Sequence, residues 1–177
     1  MNTLIVGIYT LPMRAMLDFE QSYEPLGGQS TLRAIDGSGI RQTTWHKTRT
    51  TISGGGWLPP GLATINPSIQ HELMCAIARS VTMDASRQAR LVPDKYREDA
   101  DHTPWAVATM PDHSIVKTPA PSIPDGDYDL LTADEVEGAT GYHLMYYPRL
   151  TCWVDRPTES GSLADASYRW EMVCEEV

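Results

Sequence analysis

A glycine-rich polar turn between two β-type runs constrains this chain more than any other feature of its sequence. Residues 30–35 lead into the turn Asp-Gly-Ser-Gly at 36–39, and residues 40–45 lead out of it. Glycine supplies the positive φ that tight turns require, so the pattern predicts a β-hairpin. The β-type run then continues as far as Ile52.

A glycine and proline segment follows the hairpin. Three consecutive glycines, residues 54–56, precede Trp57, and Pro59 and Pro60 come shortly after. Glycine weakens strands and proline cannot donate to a ladder, so we expect a shaped loop here rather than a strand. This loop would carry Trp57 as an exposed anchor for assembly, because exposed tryptophan typically marks a binding surface.

Most of the remaining chain also has β character. In the strand predicted over residues 168–177, one face would hold Tyr168, Trp170, Met172 and Cys174. For residues 71–81 both faces are apolar, so a helix stays possible. Residues 105–110 and 114–117 lie between prolines and fit edge strands. Further strands are predicted over residues 4–9, 16–23, 71–81, 105–110, 114–117, 141–155 with a break at Pro148, and 168–177.

These patterns predict a mostly β fold, either a β-barrel or a β-sandwich, with long loops and an extended arm. A length of 177 residues fits a single β domain over residues 1–177. The polar, charged segment 84–101 is predicted to be an exposed arm or insertion. The proline-rich segment 104–124 follows it.

Charge is distributed unevenly along the sequence. The net charge is −9, but residues 1–97 hold ten Lys or Arg against seven Asp or Glu, a net of +3. Residues 98–177 hold four against sixteen, a net of −12. This acidic balance makes nucleic-acid binding over the whole surface an unfavoured function. A chance asymmetry of solvated charges remains an alternative.

Basic side chains nevertheless gather on the predicted hairpin, around a tryptophan. Such a stripe suits either single-stranded nucleic acid or one side of a protein–protein contact. Because the rest of the chain is acidic, we favour the protein contact. The residues predicted for this interface are Arg33, Arg41, Trp45, Lys47, Arg49 and Trp57.

The segment Asp125-Gly126-Asp127-Tyr128-Asp129 resembles the start of an EF-hand calcium loop. The sixth position is Leu130, where glycine should allow the sharp turn. The twelfth is Val136, where a bidentate glutamate is needed. A solvated acidic turn is therefore the favoured interpretation.

Other chemical motifs are weaker still. His71 and Cys75 are four residues apart, which would bring them together on one side of a helix, whereas a strand would hold them apart, and no second ligand pair is near. Asp112 and His113 form a lone dyad. No nucleophile elbow or phosphate-binding loop occurs. We therefore expect no enzyme, no catalytic residue, no cofactor and no metal.

Cysteine usage and hydropathy bear on the compartment. Cys75, Cys152 and Cys174 are odd in number and widely spaced, which predicts buried thiols in a protein made in a cytoplasm rather than a disulfide framework. The first twelve residues lack the basic start and long apolar stretch of a signal peptide. Since no apolar run reaches the length of a membrane helix, we expect no direct membrane contact.

The hairpin at residues 31–43, the threonine-rich run after it and the sequence Gly56-Trp57-Leu58-Pro59-Pro60 resemble segments of minor tail proteins of tailed bacteriophages. The ending at residues 168–177 is similar to the closing strand of such subunits. This resemblance implies a structural virion protein of the tail or baseplate, near the junction of tube and baseplate. It would be made in the host cytoplasm.

The resemblance also implies partners. Copies of the chain would form a ring, expected to be a hexamer, and would join neighbouring tail or baseplate proteins. Two alternatives remain open: a cell-wall hydrolase of the tail tip, and a head-decoration or glycan-binding module.

Overall fold

In the computed structural model, which describes residues 3–177, the chain consists almost entirely of strands and turns. Strand accounts for 55% of the chain and helix for 2%, so the predicted mostly β fold is confirmed. A 3₁₀ turn, η1, spans Met13–Ala15. The strands are β1 (Ile5–Val6), β2 (Tyr9–Thr10), β3 (Glu20–Arg33), β4 (Gly39–Gly56), β5 (Gln70–Met74), β6 (Arg79–Thr82), β7 (Gln88–Leu91), β8 (Trp105–Thr109), β9 (Ile115–Pro119), β10 (Ser122–Asp125), β11 (Tyr128–Thr132), β12 (Gly141–Tyr146), β13 (Arg149–Val154), β14 (Thr158–Ser162) and β15 (Ser167–Glu176).

The strands form three sheets. The largest has the order β2-β1-β5-β13-β15-β4-β3, with β14 paired to β15. The other two have the orders β10-β11-β7 and β6-β12-β8-β9. Within the described residues these sheets are open and end in edge strands, so the barrel alternative is wrong and the sandwich alternative fits better.

The chain divides into two compact units. Unit 1 comprises residues 3–5 and Leu73–Leu150, and unit 2 comprises Val6–Glu72 and Thr151–Val177. Each unit is therefore built from two separate stretches of sequence. The boundaries fall within β1, β5 and β13.

Unit 2 is organised around the β3–β4 hairpin, which the sequence predicts but which is longer than expected. Strand β15 pairs with the second half of β4 from Arg49 to Gly56. The predicted apolar face of β15 is confirmed at Trp170, Met172 and Cys174, which are all buried. The neighbouring strands β4 and β13 contribute the buried side chains Ile52, Cys152 and Val154.

The prediction of a loop at residues 54–56 is wrong, because all three glycines lie in β4 and pair with β15. Their role is to let other groups approach the strand. A Cβ on Gly54 would lie 2.7 Å from the Trp170 ring, and one on Gly56 would lie 1.9 Å from the Arg14 carbonyl oxygen. A larger residue at either position would therefore collide with these groups.

Unit 1 holds the two smaller sheets and its own core. The single strand predicted at 71–81 is wrong, since β5 ends at Met74 and β6 starts at Arg79 in a different sheet. Strand β8 lies between β12 and β9, so the prediction of an edge strand at 105–110 is also wrong, whereas β9 is an edge strand as predicted. The core cluster consists of Met83, Ala89, Leu91, Tyr96, Ala106, Ala120, Leu131, Ala133 and Leu144.

The segment 84–101, expected to be an exposed arm or insertion, includes a strand and buried residues as well as exposed ones. It contains β7, which pairs with β11 from Gln88 to Leu91. Within the same segment Tyr96 and Arg97 are buried. The outer part of the β3–β4 hairpin is another extended and exposed segment.

Candidate functional site

Residues 29–46 form the outer part of the β3–β4 hairpin and are called the arm below. Every residue of the arm is exposed. Because β15 pairs with β4 only from Arg49 inward, the arm is a ribbon of two strands. An isolated two-stranded hairpin is marginally stable in water, so the arm is suited to gaining a partner.

The two faces of the arm differ in chemistry. Leu32 lies opposite Ile40, and Thr31 lies opposite Arg41. Since successive side chains of a strand point to opposite faces, Leu32 and Ile40 share one face while Arg33 and Arg41 share the other. The three large aliphatic residues of the arm, including Ile35 at the turn, are more than 60% exposed.

Local hydrogen bonds shape the turn at the end of the arm. The Asp36 carboxylate accepts bonds from the Ser38 hydroxyl at 2.7 Å and the Ser38 N–H at 3.0 Å. These two bonds hold the pKa of Asp36 below its ordinary value. Arg33 donates to the carbonyl of Gly37, which has a φ of 84°. The turn is therefore defined by its own residues.

A β-bulge marks the inner end of the arm. The register between β3 and β4 shifts at Gly28, where Trp45 is the partner and Thr44 is the extra residue. The Thr44 hydroxyl donates to the Gly28 carbonyl at 3.0 Å. A Cβ on Gly28 would lie 2.5 Å from the indole nitrogen of Trp45, so the half-exposed indole covers this glycine. Part of Trp45 therefore supports the arm itself.

The two basic residues at the base of the hairpin are engaged within unit 2. Lys47 donates to the backbone carbonyl of Val177, and Arg49 forms an ion pair of 3.6 Å with Glu175. The remaining positive side chains of the predicted interface are Arg33 and Arg41, of which Arg41 also donates to Gln29. All of the predicted interface residues except Trp57 lie on β3 or β4.

Trp57 directly follows β4 and is 70% exposed, as predicted. The backbone N–H of Trp57 donates to the Arg14 carbonyl at 2.9 Å, and the backbone N–H of Leu17 donates to the Gly55 carbonyl at 2.9 Å. These bonds hold the segment around η1 beside the end of β4. The exposed side chains of the two segments, called the apolar patch below, are Met13, Leu17, Trp57 and Leu58.

A groove of about 450 Å³ lies in unit 2 close to the apolar patch and is called the acidic groove below. Across three strand pairs, Glu20 lies opposite Ser53, Ser53 opposite Glu171, and Glu171 opposite Thr158. The groove is lined by one positively charged side chain, Arg169, and by the carboxylates of Asp18, Glu20, Glu159 and Glu171. Sequence reasoning missed this groove because its residues are brought together only by strand register.

A second cluster, in unit 1, was not predicted from the sequence. The buried Arg97 guanidinium donates two bonds to one Asp99 carboxylate oxygen, at 2.8 and 2.9 Å, and also to the carbonyls of Thr3 and Cys75. His102 Nδ1 bonds to the other Asp99 oxygen. The spacing Arg-x-Asp-x-x-His was the available signal.

This cluster bonds to the backbone carbonyls of Thr3 and Cys75 through Arg97. Burial raises the pKa of Asp99, but the bonds from Arg97 and His102 outweigh it and hold that pKa below its ordinary value. His102 is 3% exposed, its ring meets the Tyr147 ring edge-on at 4.9 Å, and its Nε2 has no partner among the described residues.

The segment considered for calcium forms a hairpin turn instead. Asp125 lies opposite Tyr128 across the turn, and Gly126 has a φ of 64°. Asp125 forms an ion pair of 3.0 Å with Arg90. Asp129 accepts a bond of 2.8 Å from the buried Tyr96 hydroxyl, whose pKa burial raises. Two of the three carboxylates thus already have protein partners.

The other residues weighed as metal ligands have ordinary structural roles. His71 lies on strand β5, where its Nε2 meets the Asn66 carbonyl at 2.8 Å. Asp112 accepts bonds from Ser114, which lower its pKa. Among residues 3–177, no group of three or more His, Cys, Asp or Glu side chains could hold a metal ion.

The three cysteines, Cys75, Cys152 and Cys174, are buried. The Cys152 thiol donates to the His71 carbonyl at 3.6 Å. Within the described part of the chain, no helix has the length and hydropathy needed to cross a membrane.

Comparison with known proteins yields no relative. No protein-family description, curated protein or solved structure matches this chain.

Proposed function

We propose that this chain is a structural subunit of the tail or baseplate of a tailed bacteriophage. It joins copies of itself in a ring, and joins other tail proteins, through the arm. The observation that supports this most is the exposure of every residue in 29–46, on a ribbon that no third strand of the described residues covers. The resemblance of residues 31–43, 56–60 and 168–177 to minor tail proteins supports the setting.

The composition of the arm supports assembly rather than simple solvation. A surface loop gains nothing from exposing Leu32, Ile35 and Ile40 to water, since each would stabilise the protein by about 1.5–3 kcal/mol if buried. Their burial against a partner would recover that free energy. Exposed apolar groups that lie together on a protein surface typically mark protein–protein contacts.

The first experiment measures self-association of the purified full chain. Light scattering over a range of protein concentrations should show oligomers, and raised salt should weaken their early association, because charge guides the approach of the subunits. A matched variant would have residues 30–42 replaced by an Asn-Gly turn between Gln29 and Thr43, a paired position. It should stay folded and lose the oligomers.

A wild-type chain that is monomeric at every concentration and salt would show that the proposed self-assembly is wrong. Oligomers that persist in the shortened variant would show that the arm is not what joins them. Circular dichroism and the melting temperature of both chains supply the control, because the arm contributes no buried residue to the core of unit 2.

A tail-tip cell-wall hydrolase is the second candidate, and the acidic groove is the observation that favours it. Hydrolysis of a glycosidic bond uses a pair of carboxylates flanking the bond. Strand pairing places Glu20 and Glu171 in the same groove, on either side of Ser53. Release of soluble fragments from purified cell walls, lost in Glu20→Gln and Glu171→Gln, would favour this function over the structural one.

A further inference from the structure

We infer that the arm of one copy docks in the acidic groove of a second copy of this chain. The inference rests on the proposed function and names the partner surface for the arm. It follows from three observations in unit 2: the charge of the two surfaces, the apolar groups beside each, and the reach of the arm.

Charge is the first observation. The arm carries Arg33 and Arg41 on one face and a single acid, Asp36, at its turn. The acidic groove carries four carboxylates against the one base Arg169. Opposite charge on two different surfaces favours a contact between them and disfavours pairing of either surface with itself. The arm is therefore a poor partner for another arm and a suitable one for the groove.

Apolar side chains accompany the charges on both surfaces. On the arm, Leu32 and Ile40 form a cross-strand pair and Ile35 lies at the turn. Beside the groove, Leu17 precedes the groove residue Asp18, and both N–H groups donate to the Gly55 carbonyl. The apolar patch thus adjoins the acidic groove, so one docked arm would cover both. Individual surface ion pairs contribute only about 0–1 kcal/mol, so this apolar contact would supply much of the affinity.

The reach of the arm makes the contact intermolecular. Glu20 and Ser53 in the groove lie on the same two strands as Leu32 and Ile40 in the arm, twelve residues away along β3. At about 3.3 Å per residue, the Leu32–Ile40 pair lies roughly 40 Å from its own groove, and the turn at the end of the arm lies further still. A continuous hairpin cannot fold back over that distance without breaking its ladder. The groove therefore receives the arm of another copy.

Such a contact is heterologous, because two different surfaces of the same chain meet. Heterologous contacts generate rings when the rotation closes and filaments when it does not. An arm bound to nucleic acid, or an arm paired with another arm, would give a different response to charge reversal. The experiment below separates these alternatives.

The test exchanges the charges of the two surfaces. The arm variant is Arg33→Glu with Arg41→Glu, and the groove variant is Glu20→Lys with Glu171→Lys. Each alone should lower the association constant by about tenfold or more, because like charges then face each other. An equimolar mixture of the two variants should recover association, and so should one chain that carries all four changes.

Matched controls change the same charges elsewhere. Arg79→Glu with Arg156→Glu alters net charge as the arm variant does, and Asp127→Lys with Glu137→Lys alters it as the groove variant does; all four residues are exposed. Both controls should associate like the wild type. Melting temperatures should confirm that every variant is folded.

Failure of the inference is distinguishable from failure of the proposed function. If the wild type forms oligomers but the mixture of arm and groove variants does not, the arm binds a different surface and only the inference is wrong. If the arm variant instead loses binding to a single-stranded oligonucleotide that the wild type holds, the arm is a nucleic-acid contact. A wild type without oligomers contradicts both proposals.

Discussion

The indole of Trp170 lies against the backbone of Gly54, its partner across the β4–β15 pair. The Trp170 Nε1–H donates to the Ala15 carbonyl at 2.8 Å, so the ring cannot shift without losing this buried bond. The Phe19 ring lies 6.5 Å away from it, centroid to centroid. Gly54 is thus a position where the core of unit 2 leaves no room for a side chain.

We expect Gly54→Ala to destabilise the protein by about 1–3 kcal/mol, the typical cost of an extra methyl group in a filled core. The added Cβ would lie 2.7 Å from the Trp170 ring. Urea denaturation of wild type and variant measures the loss. Gly141→Ala on β12 is the matched control, since a Cβ there meets nothing within 4 Å. Equal stability of Gly54→Ala and wild type would contradict this account of the glycine run.

Replacement of Trp57 and replacement of Trp170 should have very different effects on the free energy of unfolding. Trp57→Ala should leave the free energy of unfolding within about 0.5 kcal/mol of wild type, because the side chain is 70% exposed. Trp170→Ala should cost about 3–5 kcal/mol, because its side chain is 3% exposed. Light scattering should in turn show weaker self-association for Trp57→Ala. A large stability loss in Trp57→Ala would mean that the apolar patch is part of the core.

Asp99 should make stability depend on pH in the acid range. The pKa of Asp99 in the folded chain lies below its value in the unfolded chain, which is about 3.9. Its contribution is therefore fully present above that pH and is lost as the pH falls through the folded value.

The matching variant is Asp99→Asn, which should lower the free energy of unfolding at pH 7 by about 1–3 kcal/mol, because the buried Arg97 loses its carboxylate partner. Solvent around the partly exposed Asp99 favours the lower end. The gap between wild type and variant should close below about pH 4. Asp127→Asn on an exposed turn should show no such gap, and a pH-independent gap would exclude the ionic contribution.

The buried thiols should react only when the chain unfolds. Cys75, Cys152 and Cys174 are each 0% exposed, so an alkylating reagent should label the native protein slowly. Without reductant, mass spectrometry of the unfolded chain should then find three labelled sites. Fewer than three would indicate a disulfide bond and contradict the prediction of thiols.

The hairpin could be predicted from the sequence because its information is local. A polar glycine turn between two β-type runs suffices, and the structure confirms it. The strand at residues 54–56 could not be predicted in this way. Its glycines are explained by Trp170, far along the chain, and by the backbone of Arg14. A sequence read in short windows contains neither partner, so composition alone wrongly favoured a loop.

Some residues of the candidate site can also be recognised in the sequence, and others cannot. Arg33, Arg41 and Trp57 stand out in the sequence by type and neighbourhood, and the structure places them at exposed positions. Their role in an interface stays a prediction. The acidic groove does not stand out, because its carboxylates come from β3, β14, β15 and the segment before β3. The uneven charge of the chain suggested an acidic surface complementary to the basic hairpin, but it did not indicate which residues form that surface.

Each unit combines two separate stretches of sequence, so the two units become able to fold at different times during synthesis. Residues 73–150 leave the ribosome as one stretch and carry nearly all of unit 1. Unit 2 must wait for β15, which lies between β4 and β13 although it is translated after both of them. Until then, the edge of β4 from Arg49 to Gly56 has no neighbour and can pair with other nascent chains. A premature stop before β15 should therefore yield an aggregating fragment rather than a shorter subunit.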